Sequence, residues 1–447
     1  MKFKIRTICA ALTLAFSTSA VQADDLLQIY QQALTSDPIA LQAQAKRDAL
    51  YEKIEENRAP LLPTISARVG YNKNWINNES PEPNTDSSGV NAGVTLNQVI
   101  YDHSAWVGLN LAELAASQAD ATYASSLQTL IIRVTSAYFS VLSAKDTYEF
   151  QGSEKRAIER QLEQTKQRFA VGLTAITDVH EAQAQYDLAR AQEILAENEL
   201  TNSYEALREI TGIEHNSINI LDTERFSAVT PSPTRANDWL KMAEANSVDL
   251  LTTRIGKDMA QEAISLYKAG HMPSLSLNAG YTTNIQQENN NNDARDFDNG
   301  TVGLTLSIPI FEGFKVTSQV NQAQYQYVEA SEKMEQTYRK VVKDVRNNFN
   351  DVGASISSIR AYEQSVISSE SALKATQAGF EVGTRTIVDV LNRTRDLYDS
   401  KRKLSDARYG YINSILALKQ AAGTLNEDDV IAINNGLTAQ TTQTTTQ

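Results

Sequence analysis

The residues that could carry chemistry in this 447-residue sequence are few and poorly placed for it. His103, His180, His215 and His271 are scattered, without the i, i+4 pairing of a zinc-binding helix. His180-Glu181 opens like a metalloprotease motif but continues as HEAQA, so the second histidine is missing. The one cysteine, Cys9, excludes a disulfide scaffold. No G-x-S-x-G elbow, P-loop or dinucleotide glycine motif is present. No enzymatic activity, cofactor or metal is expected. What recurs instead is VGLTAITDV, Val171 to Val179, which returns about 210 residues later as VGTRTIVDV, Val382 to Val390. Each copy follows a phenylalanine, Phe169 or Phe380, and each holds a helix-stop glycine, Gly172 or Gly383. In the second copy Asp389 and Asn392 are three apart on one helix and share a face. Alone, the motif marks a tight helix–helix turn. Its weight comes from the elements around it.

Those elements begin after a leader. Lys2, Lys4 and Arg6, an apolar core from Ile8 to Phe16 and a small-residue site at Val21-Gln22-Ala23 read as a secretory signal peptide over residues 1–23. The core is shorter than the roughly 20 residues that span a bilayer. Beyond it no run approaches 18 continuous apolar residues, so no helical membrane span is expected. The net charge of −13 becomes more negative once the leader's cations leave, which excludes nucleic acid as a partner.

The mature chain falls into two repeats, 24–230 and 231–436, and a Thr/Gln tail, 437–447, expected to be disordered. In the first, Ile65, Ala67, Val69 and Tyr71 alternate with Ser66, Arg68, Gly70 and Asn72, a period of two. Two strands, about 62–76 and 89–101, form a hairpin around a polar loop. A helix of about 102–168 follows, with Leu127, Leu130, Ile131, Val134, Tyr138, Val141 and Leu142 as its seam, then a helix of about 175–211. The second repeat matches: strands about 272–285 and 300–311 around an Asn/Asp-rich loop, then helices about 315–378 and 386–422. Residues 213–237 read as an irregular insert.

Four strands with one apolar and one polar face suit a wall between lipid and water, but about eight are needed to close a membrane barrel. Three chains would supply twelve. At 1.5 Å per residue each long helix reaches ~100 Å, far beyond any bilayer. The shorter helices flanking it would stack end to end and bury its seam. Tyr71, Trp75, Tyr101 and Trp106 fall where an aromatic girdle belongs. The expected fold is therefore mainly α: a shared 12-stranded β-barrel continued by a 12-helix α-barrel. A soluble periplasmic coiled-coil scaffold and a secreted fibre are the competing readings. The first has no use for lipid-suited strands, and the second none for a polar-lined lumen.

With APLLP, RQLEQTKQRFAVGLTAITDV, ASISSI, VGTRTIVDVL and AGTLNEDD in place, the chain resembles the TolC family of trimeric outer-membrane efflux and secretion ducts, over about Asp25 to Asn434. The resemblance implies a homotrimeric passive duct in the outer-membrane lipid. A periplasmic adaptor would join it to an inner-membrane pump of RND, MFS or ABC type. Adaptor docking would fall on Arg168, Phe169, Val171, Gly172 and Leu173, with Val382, Gly383 and Thr384. The gate would use Arg385 with Thr177, Asp178 and Gln161, and it would open by an iris-like untwisting. Two departures bear on it: Phe380 replaces the family's usual gate tyrosine, and Asn392 replaces a second lumen aspartate. Asp389 is then the only acidic ring at that level.

Overall fold

In the strands, alternation is met by a register that sets like against like. The computed structural model describes residues 24–76, 85–287 and 296–438. Residues 1–23, where a leader is expected, and most of the two expected hairpin loops lie outside them. Strands β1 (Thr64–Ile76), β2 (Thr85–Tyr101), β4 (Ser274–Gln287) and β5 (Phe297–Ser307) form one antiparallel sheet in the order β1-β2-β4-β5. Ile65 pairs with Leu96, Ala67 with Val94 and Tyr71 with Val90. On the other face the Ser66 and Thr95 hydroxyls meet at 2.8 Å. A one-residue slip would mix the faces, so this pattern fixes the register. β5 stops at Ser307, short of the expected 311, where Pro309 can donate no ladder hydrogen bond. The sheet is open, with β1 and β5 as its edges.

From the sheet run two long helices, α3 (His103–Ala170) and α7 (Lys315–Glu381). Helices α2 (Pro38–Arg58) and α4 (Ile176–Thr211) pack along α3, while α6 (Val248–Lys268) and α8 (Ile387–Ala421) pack along α7. The flanking helices have 21 and 36 residues in one repeat and 21 and 35 in the other. Each pair lies along one long helix, and α6 and α8 also pack against α3. One correction concerns α3. It contains an 18-residue stretch apolar enough by composition to cross a membrane, although no continuous apolar run is that long. Half of that stretch is buried within the chain, so its apolarity serves packing.

Midway along the helices sits a collar that the sequence left as insert and tail. Helix α1 (Leu26–Ser36), strand β3 (Ile220–Leu221), α5 (Ala236–Asn246), α9 (Glu427–Asn434) and β6 (Leu437–Thr438) gather around the buried Tyr138, Phe139, Val345 and Leu418. The insert is thus partly regular, and the tail begins ordered: β6 pairs with β3, and Leu437 is buried. Residues 439–447 lie outside the described part. Asp24 bridges to Ile218, and its carboxylate meets the buried His215 Nδ1 at 2.8 Å. The Asp37-Pro38 break between α1 and α2 is a cap. Asp37 Oδ2 accepts from Ala40 N at 2.9 Å, Pro38 takes the first helical position, and Arg133 neutralises the buried carboxylate.

Candidate functional site at the turn end

Far from the sheet, the two repeated turns share one backbone. Gly172 and Gly383 both have φ +79°, the left-handed conformation that ends a helix. Leu173 N donates to Arg168 O at 2.8 Å, and Thr384 N to Gly379 O at 2.9 Å, closing the same terminal loop. A side chain added at either glycine would meet nothing within 4 Å, so both turns face open space. Phe169, Val171, Leu173 and Val382 are exposed around them. Together they form an exposed apolar rim.

Below the rim the turns differ. Thr386 caps α8, its hydroxyl accepting from Asp389 N at 3.2 Å, while Asp389 Oδ2 accepts from Thr386 N at 3.0 Å and from its hydroxyl at 2.9 Å. These bonds, aided by nearby Arg385 and Arg393, hold the Asp389 carboxyl below its ordinary range. Helix α4 starts instead at Ala175, which offers no side-chain cap. Asp178, matching Asp389, accepts a hydrogen bond from the Thr174 hydroxyl. Both aspartates stand in a helix's first turn, where the dipole favours negative charge. Asn392 Oδ1 accepts from Arg395 Nη2 at 3.3 Å.

Within one chain the expected gate residues are not all brought together. Arg385 forms no ion pair with Asp178; its stem lies over Gly379, where an added Cβ would come within 2.7 Å of Arg385 Cγ. Thr177 is exposed, and the Gln161 side-chain oxygen is buried without a hydrogen-bond partner. Phe380, only 8% exposed, packs with Ile158, Leu162, Ile387 and Leu391. Arg168, assigned by resemblance to docking, places its guanidinium 4.7 Å from the Phe380 ring centre. That cation–π contact links the end of α3 to the end of α7.

Periodicity missed a second set of polar residues, higher on the flank where α3 meets α8. Ser143 Oγ donates to Asp406 Oδ1 at 2.6 Å. Asp146 Oδ2 accepts from Tyr409 OH at 2.7 Å and from the Ser405 hydroxyl. Burial raises the Asp146 carboxyl, and these two donors partly oppose the rise. Glu154, also buried, is pushed up to about 7, with Arg395 and Arg402 pulling the other way. These residues stand off the apolar seam of α3, so its period does not mark them.

A family model described as outer membrane efflux protein matches residues 29–213 and 239–424, one block in each repeat. The chain belongs to that family. The outer membrane protein TolC of Vibrio cholerae serotype O1 is 48% identical over 436 residues, covering 97% of this chain and 98% of the relative. TolC of Escherichia coli K12 is 44% identical, covering 97% and 89%. The solved CmeC outer membrane channel of Campylobacter jejuni shares the fold at a TM-score of 0.76 with 14% identity, covering 98% of both chains. The protein is thus an efflux channel of the outer membrane.

Proposed function

We propose that three copies form one passive exit conduit for drugs, toxins and proteins, serving tripartite efflux and type I secretion. One observation carries this reading: a sheet with an apolar and a polar face, unpaired at both edges, is continued by helices of 68 and 67 residues. Open edges are not tolerated in lipid, and three copies close them into twelve strands. The helices then extend that tube across the periplasm. The exposed rim at Phe169, Val171, Gly172 and Leu173, with Val382, Gly383 and Thr384, is the docking surface for a periplasmic adaptor working with an inner-membrane pump. Arg168 belongs beneath that rim, on Phe380.

Closure at the turn end rests on Gln161, Thr177, Asp178, Phe380 and Arg385. Because Arg385 and Asp178 do not meet inside a chain, we assign their pairing to neighbouring copies. Asp389 supplies an acidic ring around the axis. The experiment is a planar-bilayer recording of purified protein whose detergent-corrected mass has been measured. A trimer with small resting conductance that Arg385→Ser increases supports the reading. A folded monomer would sink the shared barrel, and unchanged conductance would place the gate elsewhere.

A further inference from the structure

Where α2 and β2 meet the start of α3, the chain leaves a cleft of about 530 Å³. Its walls are apolar: Leu62, Ile100 and Trp106 stand half exposed around it, over the buried Leu109. Two local devices shape it. The Gln98 amide donates to Leu61 O at 2.9 Å and to Val99 O at 2.7 Å, tying the Ala59–Leu61 turn to the end of β2. Beside that tie the ladder to β4 skips Ile100, a bulge of the kind that re-aims side chains. The second repeat has neither the tie nor the ring. Ile308 stands where Gln98 does, and Thr317 where Trp106 does. The cleft therefore occurs once per chain, and the backbone plan shared by the repeats does not need it.

Charge of both signs borders the apolar walls. Arg58 is exposed and gives one N–H to Glu55 Oε1 at 2.7 Å, which leaves other donors of its fork to point elsewhere. Asp102 caps α3 through Oδ1, accepting from Ser104 N at 2.8 Å and from the Ser104 hydroxyl at 2.6 Å. Its second oxygen can take a further donor. The cleft lies where the sheet gives way to helices far longer than a bilayer is thick, so it falls at the periplasmic edge of the membrane. Ile100 continues the row of Val90, Val94 and Leu96, the apolar side of the sheet. A ring such as Trp106 belongs at that depth, with one side in hydrocarbon and one in water.

We propose that the cleft binds one phosphatidylethanolamine of the periplasmic leaflet. An acyl chain lies along Leu62, Ile100 and Trp106, while Arg58 holds the phosphate and Asp102 the ammonium. An anionic lipid would satisfy Arg58 and set its own charge against Asp102, so the opposed pair selects a zwitterionic head. This inference rests on the shared-barrel reading and names a lipid that the barrel holds.

The test is native mass spectrometry of the full chain, stripped of lipid by prolonged detergent washing and titrated with phosphatidylethanolamine or phosphatidylglycerol. The trimer should first take up one phosphatidylethanolamine per chain. Phosphatidylglycerol should bind about tenfold more weakly, and Arg58→Gln should cost phosphatidylethanolamine about tenfold, the worth of one charge-assisted hydrogen bond. Trp106→Ala should weaken both lipids. Asp102→Asn keeps the helix cap, since asparagine caps as well as aspartate, and should erase the preference between the two. Trp75→Ala, at the other end of β1, should change nothing. A trimer that takes both lipids equally, or whose uptake ignores Arg58→Gln and Trp106→Ala, overturns the cleft as a lipid site. A monomer by mass overturns the shared barrel instead.

Discussion

The two repeats keep one backbone plan and divide the chemistry between them. On the α3 flank the first repeat carries Ser143, Asp146 and Glu154; the corresponding positions of α7 are Ala354, Ser357 and Ser365. At the turns the balance reverses. α8 has a reciprocal Thr386–Asp389 cap, whereas α4 starts at Ala175 and leaves Asp178 with the Thr174 hydroxyl alone. The lesson is that duplication preserves what the backbone needs, the stop glycine and the long seam. Side chains that make no part of that frame diverge. Asp389 serves its own helix start; Asp178, less engaged locally, is the freer of the two to bond outside its helix.

The comparison breaks most visibly at the glycines. Gly172→Val and Gly383→Val each force a branched residue into the left-handed conformation, costing about 1–2 kcal/mol locally, and put bulk on the open rim. Drug efflux should fall tenfold or more in susceptibility assays while the protein remains at normal level in the outer membrane. Equal losses make the turns interchangeable; a loss at one alone ranks them.

A smaller effect tests the polar flank, which only the first repeat has. Glu154 has a folded-state value of about 7 against an ordinary 4.5, so the folded protein binds the extra proton between those limits. Its contribution to stability is fully present below about pH 4.5 and is lost as pH rises through about 7. Glu154→Gln should remove about 1–3 kcal/mol of that pH dependence and raise the melting temperature at pH 8. Melting curves between pH 5 and 8 check it. Ser365→Ala, at the equivalent place, should leave the pH profile unchanged.

Next come the paired aspartates. Asp389→Asn should loosen the start of α8, read as faster amide exchange at Thr386 and Asp389. With Asp389 in the acidic ring proposed above, the reversal potential in a salt gradient should also move toward zero. Asp178→Asn should spare the α8 exchange pattern and raise resting conductance instead. The same outcome for both would erase the distinction between them. The smallest expected change is a gain: Ala175→Ser gives α4 the missing cap and should add about 0.5–1 kcal/mol, seen as a modest rise in melting temperature.

Much of the architecture was legible because it is periodic. Strand alternation marked the apolar faces that the register then sets together, from Ile65–Leu96 to Tyr71–Val90, and the helix-stop glycines stand where the turns are. The collar was not legible. β3 and β6 have two residues each and find one another across almost half the chain, so no local pattern announces them. The site was legible in position but not in pairing. The T-x-x-D spacing of Thr386 and Asp389 is a capping signal visible in the sequence, and the resemblance drew attention to the lumen instead. Arg168 on Phe380 joins two helix ends from different repeats, a contact that only tertiary packing reveals. Arg385 and Asp178 belong to different copies of the motif, so whether they meet is likewise decided by tertiary packing and not by local spacing.

The unlike starts of α4 and α8 also bear on how such a tube can evolve. A ring of six identical hairpins would suffer every substitution six times over, including at any surface a partner grips. Here a change at Ala175 or Leu173 is felt at three places and leaves Thr386 and Thr384 untouched. In the proposed trimer two independently drifting sets of turns would alternate around one mouth. On the docking proposed above, a partner that lost its footing on one set would still hold the other, which would give the channel room to change partners without ceasing to be a channel.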